Sequence, residues 1–435
     1  MATDRTLAFD ILFRVERDDA WPSYAINAVL AGHGGYRPAN APFIREFVYG
    51  VVRNKLLLDY LVEKWIKGKA SRLDLQTLTV LRMGVYQLLW MDSVPDYAAI
   101  GESVALAKAK ARGRDGFVNA VLRNIQREDR GFRGSREESA LPPHIKYSFA
   151  PWVEELLTDD YGEEKTEELM GMLSAVPELC LRVNTLKTDA DTLAGELKSM
   201  GYQVRKDPDP LFDGTLFVKG EGVFSLSQYC NGYFSVQDKG SQHIVKCLGA
   251  EEGETVIDVC AAPGGKAAAS AERMGDSGRV IAMDANGRRV DSIAREAGRL
   301  GLASLSAYVR DARFPDERLR GTADRVLVDA PCSGIGTARR KPEVKYRSYD
   351  GRTDGLPCLQ LDILEASSGY VREGGILVYS TCTFFRRENE EVTGAFLEEN
   401  KNFEVETERL LTPGTDHSDG YYVCRMRRNN CSPER

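Results

Sequence analysis

Paired cysteines and clustered histidines are what this chain has least of. Its nine cysteines (Cys180, Cys230, Cys247, Cys260, Cys332, Cys358, Cys382, Cys424 and Cys431) are odd in number, scattered, and never spaced as C-x-x-C. A disulfide scaffold is excluded on that pattern, and so is a zinc ribbon. Four dispersed histidines, His33, His144, His243 and His417, give no metal cluster, so no metal is expected. No apolar run approaches the roughly 20 residues that span a bilayer. The opening MATDRTLAFD lacks the basic and apolar regions of a secretory signal. These absences predict a soluble cytoplasmic protein with reduced thiols, most of them inert and one or two reactive.

Charge of one sign is also missing where it would be expected of a nucleic-acid binder, because the net charge is -7. The average hides an asymmetry. Residues 1–140 carry about +4 and the remainder about -11. From Lys108 to Arg136 the chain holds Lys108, Lys110, Arg112, Arg114, Arg123, Arg127, Arg130, Arg133 and Arg136 against only Asp115, Glu128 and Asp129. A local basic patch can bind phosphates on an acidic protein, although a solvated helix face gives the same pattern.

At 435 residues the chain exceeds one ordinary core. Strand signals are scarce before residue 140. Phe43, Phe47, Val51, Leu58, Leu61 and Trp65 recur at helical spacing, as do Leu75, Leu78, Leu81, Val85 and Leu88, and then Phe117, Val121 and Ile125. An all-α domain over 1–140 is predicted. From Glu128 to Pro143 the periodicity lapses among Gly131, Gly134, Ser135, Pro142 and Pro143, which reads as a linker. Residues 141–249 read as a small α+β domain, with helices over Trp152–Leu157 and Glu164–Leu173 and strands over Leu179–Val183 and Gly222–Leu226. From residue 250 to 435 apolar runs alternate with helical lengths: Thr255–Cys260, Arg279–Asp284, Leu305–Arg310, Arg325–Asp329 and Ile376–Ser380. That alternation predicts a mostly parallel sheet covered by helices on both faces.

Ligands of open α/β sheets bind at the carboxyl ends of strands, and four of these runs end in chemically pointed residues. The first leads into Asp258-Val-Cys260-Ala261-Ala262-Pro263-Gly264-Gly265-Lys266, whose glycines let backbone approach a ligand. The second ends at Asp284, placed to accept hydrogen bonds from ribose hydroxyls, and the third at Asp311, placed to meet an adenine edge. The fourth ends at Asp329. A phosphate-binding Walker loop fails on Cys260 and Ala267, which stand where Gly and Ser or Thr are needed, and no G-x-G-x-x-G spacing is present.

Two cysteines follow strand ends of the same sheet, Cys332 in Asp329-Ala-Pro-Cys-Ser-Gly334 and Cys382 in Tyr379-Ser-Thr-Cys-Thr383. Together with the Asp258–Lys266 turn these segments resemble the NOL1/NOP2/Sun family of RNA cytosine-5 methyltransferases. Arg339 to Lys345, Arg182-Val-Asn184, Val236-Gln-Asp238 and Asp419-Gly-Tyr-Tyr-Val423 extend the resemblance, and the helical part is similar to the NusB-like domain of the bacterial Sun-type 16S ribosomal RNA subgroup. Departures are mild: Ala267 for Thr, Thr337-Ala338 for bulkier residues, and Tyr346 for Trp.

The resemblance implies a Rossmann-like methyltransferase domain with a seven-stranded sheet behind a NusB-like domain. It implies S-adenosylmethionine at Cys260–Lys266, Asp284, Asp311 and Asp329, and methylation of a cytosine carbon 5 in small-subunit ribosomal RNA by a monomer, before or during assembly. Cys382 would be the nucleophile, Cys332 would assist release, and Asp329 would hold the base near N3. Arg182, Arg289 and Lys341 are the candidate RNA contacts. In DNA cytosine-5 methyltransferases the Pro-Cys thiol attacks, which here would be Cys332. An RNA-binding assembly factor that merely keeps the fold is the alternative from another class.

Overall fold

The computed structural model describes residues 3–31, 41–220, 222–347 and 351–430; His33 and Cys431 lie outside them. Two compact units emerge, one of Met1–Ser174 with Lys341–Arg347 and one of Ala175–Arg340 with Ser348–Arg435. The division between the two units falls at Ser174. Helices Pro151–Tyr161 and Glu163–Ser174 belong to the first unit.

The first unit is helical, as its 3.6-residue periodicity requires. The Phe43–Trp65 stripe resolves into two helices, Ala41–Arg53 and Lys55–Glu63. Helix Leu75–Trp90 starts where Asp74 accepts the Thr77 N–H as a cap. The leucine stripe suggested one buried face. Instead Thr77 through Leu89 are all buried, because helices pack around this one on every side. Its one buried cation, Arg82, is held in a fork by both oxygens of Asp59 at 2.7 Å and reaches Glu16 at 3.1 Å. The 128–143 segment is pinned rather than loose. Buried Asp129 accepts from Trp65 Nε1 at 2.6 Å and from Lys64. Much of the basic run is spent locally, Lys110 on Asp10, Arg127 on Glu128 and Arg130 on Asp96.

The second unit holds two sheets. A four-stranded antiparallel sheet has the order β2-β3-β1-β4, with β1 Leu179–Val183, β2 Gln203–Lys206, β3 Thr215–Lys219 and β4 Phe234–Val236. The strand expected over Gly222–Leu226 is a 3-10 turn, Val223–Ser225. Gly222 enters it in the left-handed region, φ 78°, and breaks the extended run.

The seven-stranded sheet has the order β10-β11-β9-β8-β5-β6-β7. Strands β5 (Thr255–Asp258), β6 (Arg279–Asp284), β7 (Leu305–Val309), β8 (Ala323–Asp329) and β9 (Val371–Thr381) are parallel. β10 (Phe403–Leu411) and β11 (Tyr421–Arg428) run antiparallel at one edge. Alternate residues feed two cores. Val256, Val280, Ala282 and Leu327 pack with helices Lys239–Leu248, Gly265–Arg273 and Gly287–Leu300. Ile257, Ile281, Val326 and Val328 pack with Leu356–Ser368 and Glu390–Glu399 on the other face. The chain winds outward from β5 in both directions, so a crevice opens at the carboxyl ends of β5 and β8. Among the described residues no helix is long and apolar enough to cross a membrane.

Candidate active site

β5 ends at Asp258 and the chain turns through Cys260–Gly264, including a cis Ala262–Pro263 bond, into helix Gly265–Arg273. Gly264 has φ 108°, and a Cβ there would stand 3.2 Å from the Ile293 backbone. Only glycine lets the turn lie this close to helix Gly287–Leu300. Asp284, at the end of neighbouring β6, is 5% exposed and accepts the Asn286 N–H at 2.9 Å. Asp311 follows the next strand and pairs with Arg313 at 2.7 Å. A glycine turn and carboxylates at the ends of three adjacent strands fit an adenosine bearing two ribose hydroxyls.

The three candidate RNA contacts lie in different settings. Arg182 is 8% exposed, and its guanidinium is spent inside the unit. It grips both oxygens of Glu272 at 2.9 Å, donates to Gly265 O at 2.9 Å, and reaches Gln237 Oε1 at 2.5 Å. That burial leaves its guanidinium spent and does not suit the RNA contact expected of it: Arg182 fastens β1 to the turn and helix that follow β5. Arg289 donates to Ala262 O at 2.8 Å and stands 3.4 Å from Asp284. Lys341 belongs to the helical unit and lies 6.0 Å from the Trp21 ring centre.

β8 and β9 are adjacent, so the loops that follow them bring Cys332 and Cys382 together across fifty residues of sequence. Their sulfurs are 3.2 Å apart, and the Cys382 N–H donates to Cys332 Sγ at 3.3 Å. The hydrogen bond with Cys382 and then desolvation push the Cys332 thiol well above its usual range. Asp329 lies beside the pair with both oxygens engaged, Oδ1 by Ser380 Oγ at 2.9 Å and Oδ2 by Lys266 Nζ at 2.8 Å. Burial pulls the Lys266 amine down, but the charge and hydrogen bond of Asp329, with Cys382 nearby, carry it above its usual value, so it stays a cation.

Glu272 carried no local signal in the sequence and reaches the site only through the fold, whereas Ser380 and Gln237 stood in segments that matched the family pattern. Asp238, Arg340 and Asp419 stood in segments that matched the family pattern, and here they form one cluster. Arg340 pairs with Asp238 at 2.8 Å and with Asp419 at 2.7 Å, and buttresses the loop after Cys332.

The model of the 16S rRNA methyltransferase RsmB/F family matches residues 245–427, that of the NusB family residues 2–127, and that of an RsmF/B-like ferredoxin-like domain residues 149–211. A Bacillus subtilis (strain 168) protein described as a probable ribosomal RNA small subunit methyltransferase B is 34% identical over 98% of each chain. The ribosomal RNA small subunit methyltransferase B of Vibrio cholerae is 32% identical over 91% of each. Among solved structures, PH0851 shares the fold with a TM-score of 0.79 and 23% identity, over 98% of this chain and 99% of that one. NSun6 from Pyrococcus horikoshii, solved with SFG, gives a TM-score of 0.58 and 20% identity, over 65% of this chain and 99% of its own. This chain belongs to the RsmB/F family of S-adenosylmethionine-dependent methyltransferases, built as a NusB-like helical unit and a Rossmann-like catalytic unit.

Proposed function

We propose that the protein methylates carbon 5 of a cytosine in small-subunit ribosomal RNA, with Cys382 as the covalent nucleophile. The observation that carries this reading is the pair of thiols, 3.2 Å apart, beside the Lys266–Asp329 ion pair. Carbon 5 of cytosine is a poor nucleophile. Addition of the Cys382 thiolate at carbon 6 makes it enamine-like. Cys260–Lys266, Asp284 and Asp311 would hold S-adenosylmethionine, which would supply the electrophilic methyl group. Asp329, fixed by Lys266 and Ser380, would accept a hydrogen bond from the protonated N3 of the base, favouring that form and holding the ring.

Release requires loss of the carbon 5 proton and rupture of the carbon 6–sulfur bond, with the electron pair returning to Cys382. Cys332 suits that step. Its hydrogen bond with Cys382 and its burial push its pKa up, so it stands beside the departing sulfur as a thiol able to handle a proton. The target base must leave its stack to reach the two loops, so a loop or flipped cytosine is the expected substrate.

Single-turnover methyl transfer to small-subunit ribosomal RNA tests the assignment. Cys382→Ala is expected to be inactive, and Cys332→Ala to accumulate a denaturation-resistant protein–RNA adduct. Methyl transfer at the wild-type rate by Cys382→Ala sinks it.

A further inference from the structure

Two consecutive residues beyond Cys382 reach back to the two cysteine loops. Glu388 closes the short turn Arg386–Glu388, and Asn389 precedes helix Glu390–Glu399; they are 2% and 0% exposed. Glu388 Oε2 accepts the Ser333 amide N–H at 2.9 Å and Gln360 Nε2 at 3.0 Å. The same Gln360 amide donates to Pro331 O at 2.9 Å. The peptide on both sides of Cys332 is thereby held. Asn389 does the equivalent for Cys382: its Oδ1 accepts from Thr381 Oγ1 at 2.5 Å, and its Nδ2 donates to Thr383 O at 3.1 Å. Tyr379 OH donates to Glu388 O at 2.6 Å and ties this clamp to β9, while Ser333 Oγ donates to Thr383 Oγ1 at 2.8 Å and links the two loops directly.

The residue types fit the task. One oxygen of Glu388 serves two N–H donors, for which an anionic acceptor is stronger than a neutral one. Asn389 must offer one acceptor and one donor at once, which its amide does and a carboxylate does not. A buried hydrogen-bond network of this kind rigidifies what it touches.

We infer that Glu388 and Asn389 are positioning residues for methyl transfer, Glu388 setting the Cys332 thiol and Asn389 setting the Cys382 thiol. Their adjacency in the chain fixes the distance between the two sulfurs. The division of effects rests on the two-thiol reading proposed above. A sulfur displaced by about 1 Å is enough to lose on the order of a hundredfold in rate, so the clamp has a large effect to exert.

The test compares Asn389→Asp, Glu388→Ala and Glu388→Gln with Cys382→Ala and Cys332→Ala, as full chains on in-vitro transcribed small-subunit ribosomal RNA. Adduct formation, adduct release and S-adenosylmethionine Kd are measured separately, with thermal melts to follow the fold. Asn389→Asp, which puts a carboxylate oxygen against Thr383 O, is expected to slow adduct formation by about tenfold or more with the Kd unchanged. Glu388→Ala is expected to form adduct at close to the wild-type rate and release it about tenfold more slowly, while Glu388→Gln restores release. If Glu388→Ala does not fold, Glu388→Asp, which draws the carboxylate back by one methylene, carries the same expectation. Equal slowing of both steps in both variants, a matching loss of cofactor affinity, or no change in either step overturns the inference. Methyl transfer by Cys382→Ala, or no adduct in Cys332→Ala, overturns the two-thiol reading instead, whatever the clamp variants do.

Discussion

Asp258 shows how far one residue's chemistry depends on its surroundings. Both of its carboxylate oxygens are buried at the carboxyl end of β5, with no side-chain partner. Burial, then the charge of Asp329, push its pKa up to about 8 against the pull of Lys266. The native protein therefore keeps a proton that the unfolded chain gives up near pH 4. More protons bound in the native state means that stability falls as pH rises between those values, and that this group adds no further change above them. Asp258→Asn is neutral at every pH and escapes that loss. Thermal melts are expected to show the variant gaining on wild type from about pH 4 to about pH 8. A difference independent of pH would mean that Asp258 is ionised in the fold. Asp329 was legible as a strand-terminal acid, but its ion pair with Lys266, sixty-three residues away, follows no local rule.

Elements meet closely where the loop after Cys332 passes the entry to β11. Gly336 N–H donates to Cys382 O and Gly420 N–H to Gly336 O, both at 2.9 Å. A Cβ on Gly336 would stand 2.2 Å from Gly420 O and 2.9 Å from Cys382 O, both backbone atoms that cannot swing aside. Gly336→Ala is expected to lower stability by about 1–3 kcal/mol and to depress methyl transfer, since it displaces the Cys382 loop. Gly298→Ala is the contrasting case: it lies in helix Gly287–Leu300 with nothing within 4 Å of the added Cβ. That change is expected to stabilise by about 0.5–1 kcal/mol. Urea unfolding with an unchanged m-value separates the two, and equal effects would contradict the close approach. The runs that became β5, β6, β8 and the end of β9 were legible because strands buried on both faces are continuously apolar, while β7 is an apolar run at the sheet edge with Tyr308 and Val309 exposed. β10 escaped notice because its middle, Glu404 through Arg409, is exposed. A two-face pattern cannot appear in such a strand.

At the scale of the whole catalytic unit, Arg182 joins the small sheet to the glycine turn after β5 and the helix that follows it. Its pair with Glu272 is 10% exposed on one side chain and 5% on the other. Arg182→Met would leave Glu272 buried without its cation, a loss of about 3–5 kcal/mol. The expected signature is lower stability and weaker S-adenosylmethionine binding, since Gly265 O and Gln237 lose their donor, with RNA affinity at fixed salt unchanged. An RNA binding slope against salt that drops by about one would instead mark Arg182 as a phosphate contact.

The sequence by itself determined the elements and their chemistry: the helical spacing before residue 140, the apolar runs of the parallel sheet, the glycine turn, and acids and thiols at strand ends. These are read from local periodicity and from what each side chain can do, and neither depends on distant contacts. Tertiary structure alone decided the rest. It placed β8 beside β9 and so brought two sulfurs to 3.2 Å, buried Arg182 against Glu272, and set Glu388 and Asn389 between the cysteine loops. The physical reason is that strand order and burial fix which distant groups share a low-dielectric site. In such a site hydrogen bonds and charge pairs acquire their strength.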